Sequence, residues 1–146
     1  MIYTVPENMV YVIERKGAFH TIAMPGRLTL VPFVDKIVNK IIMTDQIMEI
    51  PEQSIISWDN QTSQVEAHVA YKVVDAPLYT YGVQSAEQAL QSLVVDTMRN
   101  IFGDVRRPEM TTKHTELQKK IYSVVKETSK AWGIDVAEVD YRIIEN

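Results

Sequence analysis

The chain has 146 residues, enough for one core that takes well over half of the unfolded surface out of water. Its 46% hydrophobic and 23% charged residues fit a globular domain and exclude a disordered segment. The 15 Lys and Arg are spread among 19 Asp and Glu, so the net charge of −4 offers no basic face for nucleic acid.

The chain lacks cysteine. Disulfides, thiolate metal sites, thiol nucleophiles and cysteine palmitoylation are excluded together, and the compartment stays open. No run of about 18 apolar residues exists to span a bilayer.

Residues 9–14 have the β-branched and aromatic content of a strand, closed by a turn at Lys16-Gly17. Residues 18–23 are placed to pair back on it, and Pro25-Gly26 signals a further turn. Residues 36–50 read as one loosely patterned strand that Pro51 ends. From 64 to 74 the alternation is clean: Val65, Ala67, Val69, Tyr71 and Val73 on one face, Gln64, Glu66, His68 and Lys72 on the other. Asp59-Asn60 suits a hairpin turn before it, with Ile55 and Ile56 on the outgoing strand.

After Asp75 the period becomes helical. Asp75-Ala76-Pro77 starts a short helix ending near Gly82, and Ser85 with Gln88 forms a capping box for a second. That helix is expected to bury Leu90, Leu93, Val94, Met98 and Ile101, with Gly103 as a left-handed terminator. A third helix is predicted from about Pro108 or Thr111 to Trp132, closed by Gly133. Its stripe is Leu117, Ile121, Val124, Val125, Thr128 and Trp132, and a returning strand follows over 134–144. The order predicts an α+β fold: N-terminal antiparallel strands, two to three helices and a C-terminal strand, in a single domain over 1–146.

A series of short motifs then carries a resemblance. Val5-Pro6-Glu7-Asn8, Pro25-Gly26, Val31-Pro32-Phe33-Val34-Asp35, Ile50-Pro51-Glu52-Gln53 and Asp59-Asn60 come first. Asp75-Ala76-Pro77, Tyr81-Gly82-Val83, Thr97-Met98-Arg99, Gly103 and Trp132-Gly133-Ile134-Asp135-Val136 follow in order. Together they resemble the stomatin, prohibitin and flotillin superfamily domain (SPFH, or Band 7), most like the stomatin-like protein 2 or paraslipin branch. Trp58, Arg27 and the segment Arg106-Arg107-Pro108-Glu109-Met110 depart from the family pattern.

The resemblance implies a membrane scaffold that forms homo-oligomers, organises membrane microdomains and regulates membrane proteins such as proteases or channels. It implies no enzymatic activity and no cofactor. It also implies a hydrophobic anchor before the domain and a coiled-coil tail after it, both expected to lie outside these residues. Localisation would be membrane-associated, as a peripheral domain on an anchored protein.

The residues themselves supply no catalytic set. There is no Gly-x-Ser-x-Gly elbow, Ser-x-x-Lys, Gly-x-Gly-x-x-Gly or P-loop. His20, His68 and His114 lack ligand spacing, so no metal site is expected and His68 falls on a wet strand face. The acids Glu49, Glu52, Asp135, Glu138 and Asp140 flank turns or alternate along the last strand, where solvation is the default.

Two readings stay open for residues 28–34: a buried strand, or a loop partly immersed in the lipid interface. In the second, Leu28, Leu30, Val31 and Phe33 face the membrane, with Arg27 and Lys36 near anionic headgroups. Arg106, Arg107, Lys119 and Lys120 on the third helical segment are candidates for contact with neighbouring subunits. The alternatives in function are a peptide-binding module using an exposed sheet edge, on residues 36–50 or 134–144, and a small hydrolase.

Overall fold

A computed structural model of the chain describes residues 1–144, so the last two residues of the predicted 1–146 domain lie outside the described residues. Five strands come first: β1 (Ile2–Val5), β2 (Met9–Arg15), β3 (Ala18–Ala23), β4 (Gly26–Thr29) and β5 (Asp35–Ile42). Then follow β6 (Gln46–Ile56), β7 (Thr62–Val73), α1 (Ala76–Tyr81), α2 (Ala86–Phe102), α3 (Glu109–Thr112), α4 (His114–Ser129), a 3-10 turn at Lys130–Trp132, and β8 (Ile134–Ile144). The strands form a β1-β4 ribbon and two three-stranded antiparallel sheets, β3-β2-β5 and β6-β7-β8. The α+β expectation holds.

β2 shows why the first half folds as it does. Val10, Tyr11, Val12 and Ile13 are all buried, so the strand is covered on both faces and reads as a continuous apolar run. Tyr11 and Ile13 pack with Val5, Ala23 and Leu30 under the β1-β4 ribbon. Val10 and Val12 pack with Ile41, Val73 and Ala76, which join the first sheet to the second half. The Asp75 carboxylate caps α1 by accepting from the Leu78 amide at 3.0 Å. From α1, Thr80 accepts from Asn39 at 3.1 Å and Tyr81 donates to Glu14 at 2.7 Å.

In the second half α2 and α4 cover one face of β6-β7-β8. Their buried stripes step by four: Leu90, Val94, Met98 and Phe102 on α2; Leu117, Ile121, Val125 and Ser129 on α4. Such i, i+4 rows make the ridges by which helices interlock. Phe102 meets Tyr141 edge-on at 4.8 Å, and the Tyr141 hydroxyl donates to the Met110 carbonyl at 2.6 Å. Burial, and secondly the charge of Asp140, pushes the Tyr141 phenol up to about 12, so it remains a donor at any ordinary pH.

Six expectations are corrected. Residues 36–50 are not one strand: the chain breaks between β5 and β6, whose strands pair in different sheets. Pro51 does not end β6, because it sits at a bulge where Ile50 pairs with Ala67 and Gln53 with Val65. A proline with no N–H is tolerated at a bulge in an edge strand. Gly103 is right-handed (φ −65°), because the chain continues turning into Asp104 and Val105 rather than reversing. The third helix is broken at Lys113 (φ −108°, ψ 31°). The Met110 carbonyl, which an unbroken helix would offer to the His114 amide, accepts from Tyr141. Finally, Val124 and Thr128 face water while Ser129 is buried, and Phe102 replaces Leu93 and Ile101 as a fully buried residue of α2. Gly133, expected to close the third helix, does so in a left-handed conformation (φ 70°).

Candidate functional site

The turn between β4 and β5 places apolar side chains in water on a rigid frame. Its keystone is Asp35, paired with Arg15 in the β2–β5 register. Arg15 donates from Nε to Asp35 Oδ1 at 2.6 Å and from Nη2 to Oδ2 at 2.9 Å, a two-point fork. Asp35 Oδ2 also accepts from the Val31 amide at 2.9 Å, and the Asp35 amide donates to the Val31 carbonyl at 3.0 Å. The Lys16 amide reaches the Val34 carbonyl at 2.8 Å. The Arg15 hydrogen bonds, and secondly the Val31 amide, hold the Asp35 carboxyl well below the usual carboxylate range, against the opposing effect of burial.

Held this way, Phe33 adopts φ 71° and is fully exposed. A left-handed conformation on a bulky residue stores strain, and its persistence shows that the surrounding bonds determine it. Val31 is 48% exposed and Met1 65% exposed beside it. The ends of β1 and β4 are tied by backbone bonds between Met1 and Leu30. Met1, Val31, Phe33, Lys36 and Lys40 line one shallow cleft at this end.

The structure therefore divides the proposed membrane-contact set. Val31, Phe33 and Lys36 gather at the tip. Leu30 is buried in the small core and Leu28 is half-buried against it. Arg27 is exposed on β4, opposite Thr4, and is not among the residues lining the cleft. Residues 28 and 30 thus pack inward as the buried reading expects, whereas Val31 and Phe33 are exposed.

The proposed subunit-contact residues occupy two places. Arg106 and Arg107 lie in the loop after α2, where the Arg106 guanidinium sits 5.3 Å from the Trp58 ring centre. Trp58 is 61% exposed, and its amide donates to the Val105 carbonyl at 2.8 Å. Asp59 accepts from the Ser57 hydroxyl at 2.5 Å and the Arg107 amide at 3.0 Å, tying the β6–β7 turn to this loop. Those bonds, Ser57 first, hold its carboxyl below the usual range. Lys119 and Lys120 stand apart from this loop, in the second turn of α4, where Lys120 pairs with Glu116 at 3.8 Å and Lys119 lines a groove beside β8.

Strand pairing also assembles a group that sequence spacing hides. His68 of β7 lies between Glu49 of β6 and Asp140 of β8 in register. His114, from the start of α4, reaches Asp140 Oδ1 at 2.8 Å and stacks on Tyr141 at 4.3 Å. The legible signal was the Glu138-x-Asp140 alternation on a strand; the missing information was which residue of β7 stands opposite. Among the described residues no helix is long and apolar enough to cross a membrane.

A family model described as "SPFH domain / Band 7 family" matches residues 3–145. Stomatin-like protein 2, mitochondrial, of Rattus norvegicus is 30% identical over 134 residues, covering 92% of this chain and 38% of that protein. The Homo sapiens protein of that name is 29% identical with the same coverage. An uncharacterized protein of Methanothermobacter thermautotrophicus is 30% identical over 92% of this chain and 42% of its own length. The chain thus spans about two-fifths of the curated relatives it matches.

Proposed function

Because the chain belongs to the SPFH domain / Band 7 family, we propose that it is the membrane-facing domain of a stomatin-like scaffold, docking on lipid through the Val31–Phe33 tip. The observation that carries this reading is Phe33, fully exposed on a turn that a buried-carboxylate clamp holds rigid. Ordering an apolar side chain outward has a cost in water and a use at a lipid interface. Transfer of Phe33 and Val31 into that interface is worth a few kcal/mol, at about 1.5–3 kcal/mol per fully buried large side chain. Lys36, at the tip, adds about 1 kcal/mol near anionic headgroups, whereas Arg27 stands back from the tip on β4. An anchor preceding β1, which the family resemblance implies, would enter the bilayer at this same end.

Vesicle flotation tests it. The domain should float with phosphatidylserine-containing vesicles, and Val31→Glu/Phe33→Glu should bind roughly tenfold less, the two lost side chains being worth more than one 1.4 kcal/mol decade. Equal flotation of the two proteins would sink the reading. Both positions are exposed, so the variant keeps its core.

The scaffold role rests on assembly. The Trp58–Arg106 loop and the Lys119–Lys120 turn of α4 are two separate basic patches that would meet acids on a neighbouring subunit, and such head-to-side contacts give rings where the rotation between subunits closes. Trp and Arg are the residue types that dominate interface energetics. The contact is modest and becomes effective when an anchor and a helical tail raise local concentration. At micromolar concentration the domain alone should therefore sediment as a monomer or weak oligomer. A stable large ring in analytical ultracentrifugation would contradict this. Partner membrane proteins, proteases or channels, would be held by the assembly, with no catalytic step of its own.

One observation favours a second reading. β8 pairs only with β7 among the described residues, and a groove lined by Gln118, Lys119, Tyr122 and Val139 runs beside it. An extended peptide adding a strand there would use the free edge for affinity and the groove for specificity. It is compatible with scaffolding, as the place where a partner's segment docks.

A further inference from the structure

On the face of β6-β7-β8 turned away from the helices, His68, Glu138 and Asp140 bring one ligand atom each to within 4.8 Å of the others. The arrangement follows from register. Glu138 and Asp140 are two apart on β8 and share a face; His68 stands opposite Asp140, and Ala70 opposite Glu138. Beyond this pair the extra residue at the bulge, between the Ala70 and Tyr71 pairings, returns Val136 to the core. Two ligands at i and i+2 with a third across the ladder converge on one point above a sheet.

Asp140 is already oriented for this. Its Oδ1 is held by His114 at 2.8 Å and by the Tyr141 amide at 2.8 Å, while Oδ2 makes no hydrogen bond or ion pair to any described residue. A carboxylate fixed through one oxygen presents the other in a set direction, which is how outer groups orient a metal ligand. The side chains of His68 and Glu138 likewise make no hydrogen bond or ion pair to described residues. The local charge also favours a cation: Glu49 stands opposite His68 in register, while Glu66 and Arg142 neutralise one another in an ion pair. Ala67 and the stacked pair of Tyr141 and His114 also line the hollow.

We propose that His68, Glu138 and Asp140 bind a divalent metal ion of the zinc class, bridging β7 to β8 with water in the remaining position. One imidazole and two carboxylates suit zinc, whose bonds of about 2.0–2.2 Å need only small side-chain rotations from the present separations. This goes beyond membrane docking and would survive its failure. The ion would pin the returning strand at the edge that carries the peptide groove, since Glu138 also lines that groove.

Zinc chloride titrated into chelator-stripped protein, competing with a chromophoric zinc indicator, decides the matter. One equivalent should bind to the wild type, and His68→Ala should bind at least about tenfold more weakly, as loss of a metal's supporting groups commonly does. His20→Ala, on β3 of the other sheet, should bind like the wild type. The circular dichroism spectrum of His68→Ala, a change on a wet face, should match that of the wild type. Absence of a stoichiometric equivalent, wild-type affinity in His68→Ala, or loss in His20→Ala would each overturn the site.

Discussion

Gly133→Ala should cost about 3 kcal/mol, the sum of left-handed strain and a backbone clash, and lower the urea midpoint by about 1.5 M. Gly133 has φ 70°, and a Cβ there would stand 2.3 Å from the Asp75 carbonyl oxygen and 3.0 Å from the Tyr79 amide nitrogen. Neither neighbour can withdraw. The Asp75 carbonyl accepts the Tyr79 amide at 2.9 Å in the first turn of α1, and the Gly133 carbonyl accepts the Val74 amide at 2.8 Å. A methyl group would therefore part the end of β7 from the start of β8 at the point where α1 begins. Gly17 is the control: φ is 81° but no heavy atom lies within 4 Å of an added Cβ. Gly17→Ala should show the conformational cost alone, about 1–2 kcal/mol. Equal losses for the two variants would mean that the close approach at Gly133 relaxes freely, and that this junction is looser than its bonds indicate.

Gly133 was legible in the sequence because its signal is local: a glycine after a helical stripe and before an alternating strand. The same holds for the Asp75 and Ser85 caps and for the face of β7, where composition and period determine burial. What escaped was set by partners far along the chain. Nothing around Pro51 says that β7 absorbs it as a bulge, and nothing around Lys113 says that Tyr141 will take the Met110 carbonyl. The break between β5 and β6 sends two neighbouring strands to different sheets, a choice made by the sheets.

The candidate sites divide along the same line. The apolar content of residues 28–34 marked the tip, but only the Arg15–Asp35 fork shows that Leu30 turns inward while Phe33 turns out. His68, Glu138 and Asp140 were each visible on a wet face, and none announced the others. Both proposed sites depend on which surfaces the register creates, and a single sequence carries register only weakly.

Asp35→Ala should release the tip while leaving the two sheets folded. The substitution removes both acceptors of the Arg15 fork and the acceptor of the Val31 amide, so Phe33 loses the bonds that impose its left-handed backbone. Chymotrypsin should then cut after Phe33 on the order of tenfold faster than in the wild type, as expected when a local unit opens more often. The core of the second half, built from α2, α4 and β6-β7-β8, does not include the turn. Its unfolding transition should hardly move. The pH dependence has a fixed sign. The Asp35 pKa is lower folded than unfolded, so between the two values the unfolded chain binds more protons and stability rises with pH. The clamp is therefore whole above the ordinary carboxylate value of about 3.9 and is lost progressively as pH falls below it, toward the folded value. The difference in cleavage between wild type and Asp35→Ala should be constant from about pH 8 to pH 5 and shrink only below about pH 4, where a protease active in acid must replace chymotrypsin. A difference that vanishes near neutrality would assign the ordering of the tip to something other than this ion pair. Vesicle binding links the clamp to function: if a preset Phe33 is what the lipid meets, Asp35→Ala should float less well although it keeps every apolar side chain. Flotation equal to the wild type would mean that lipid orders the turn for itself.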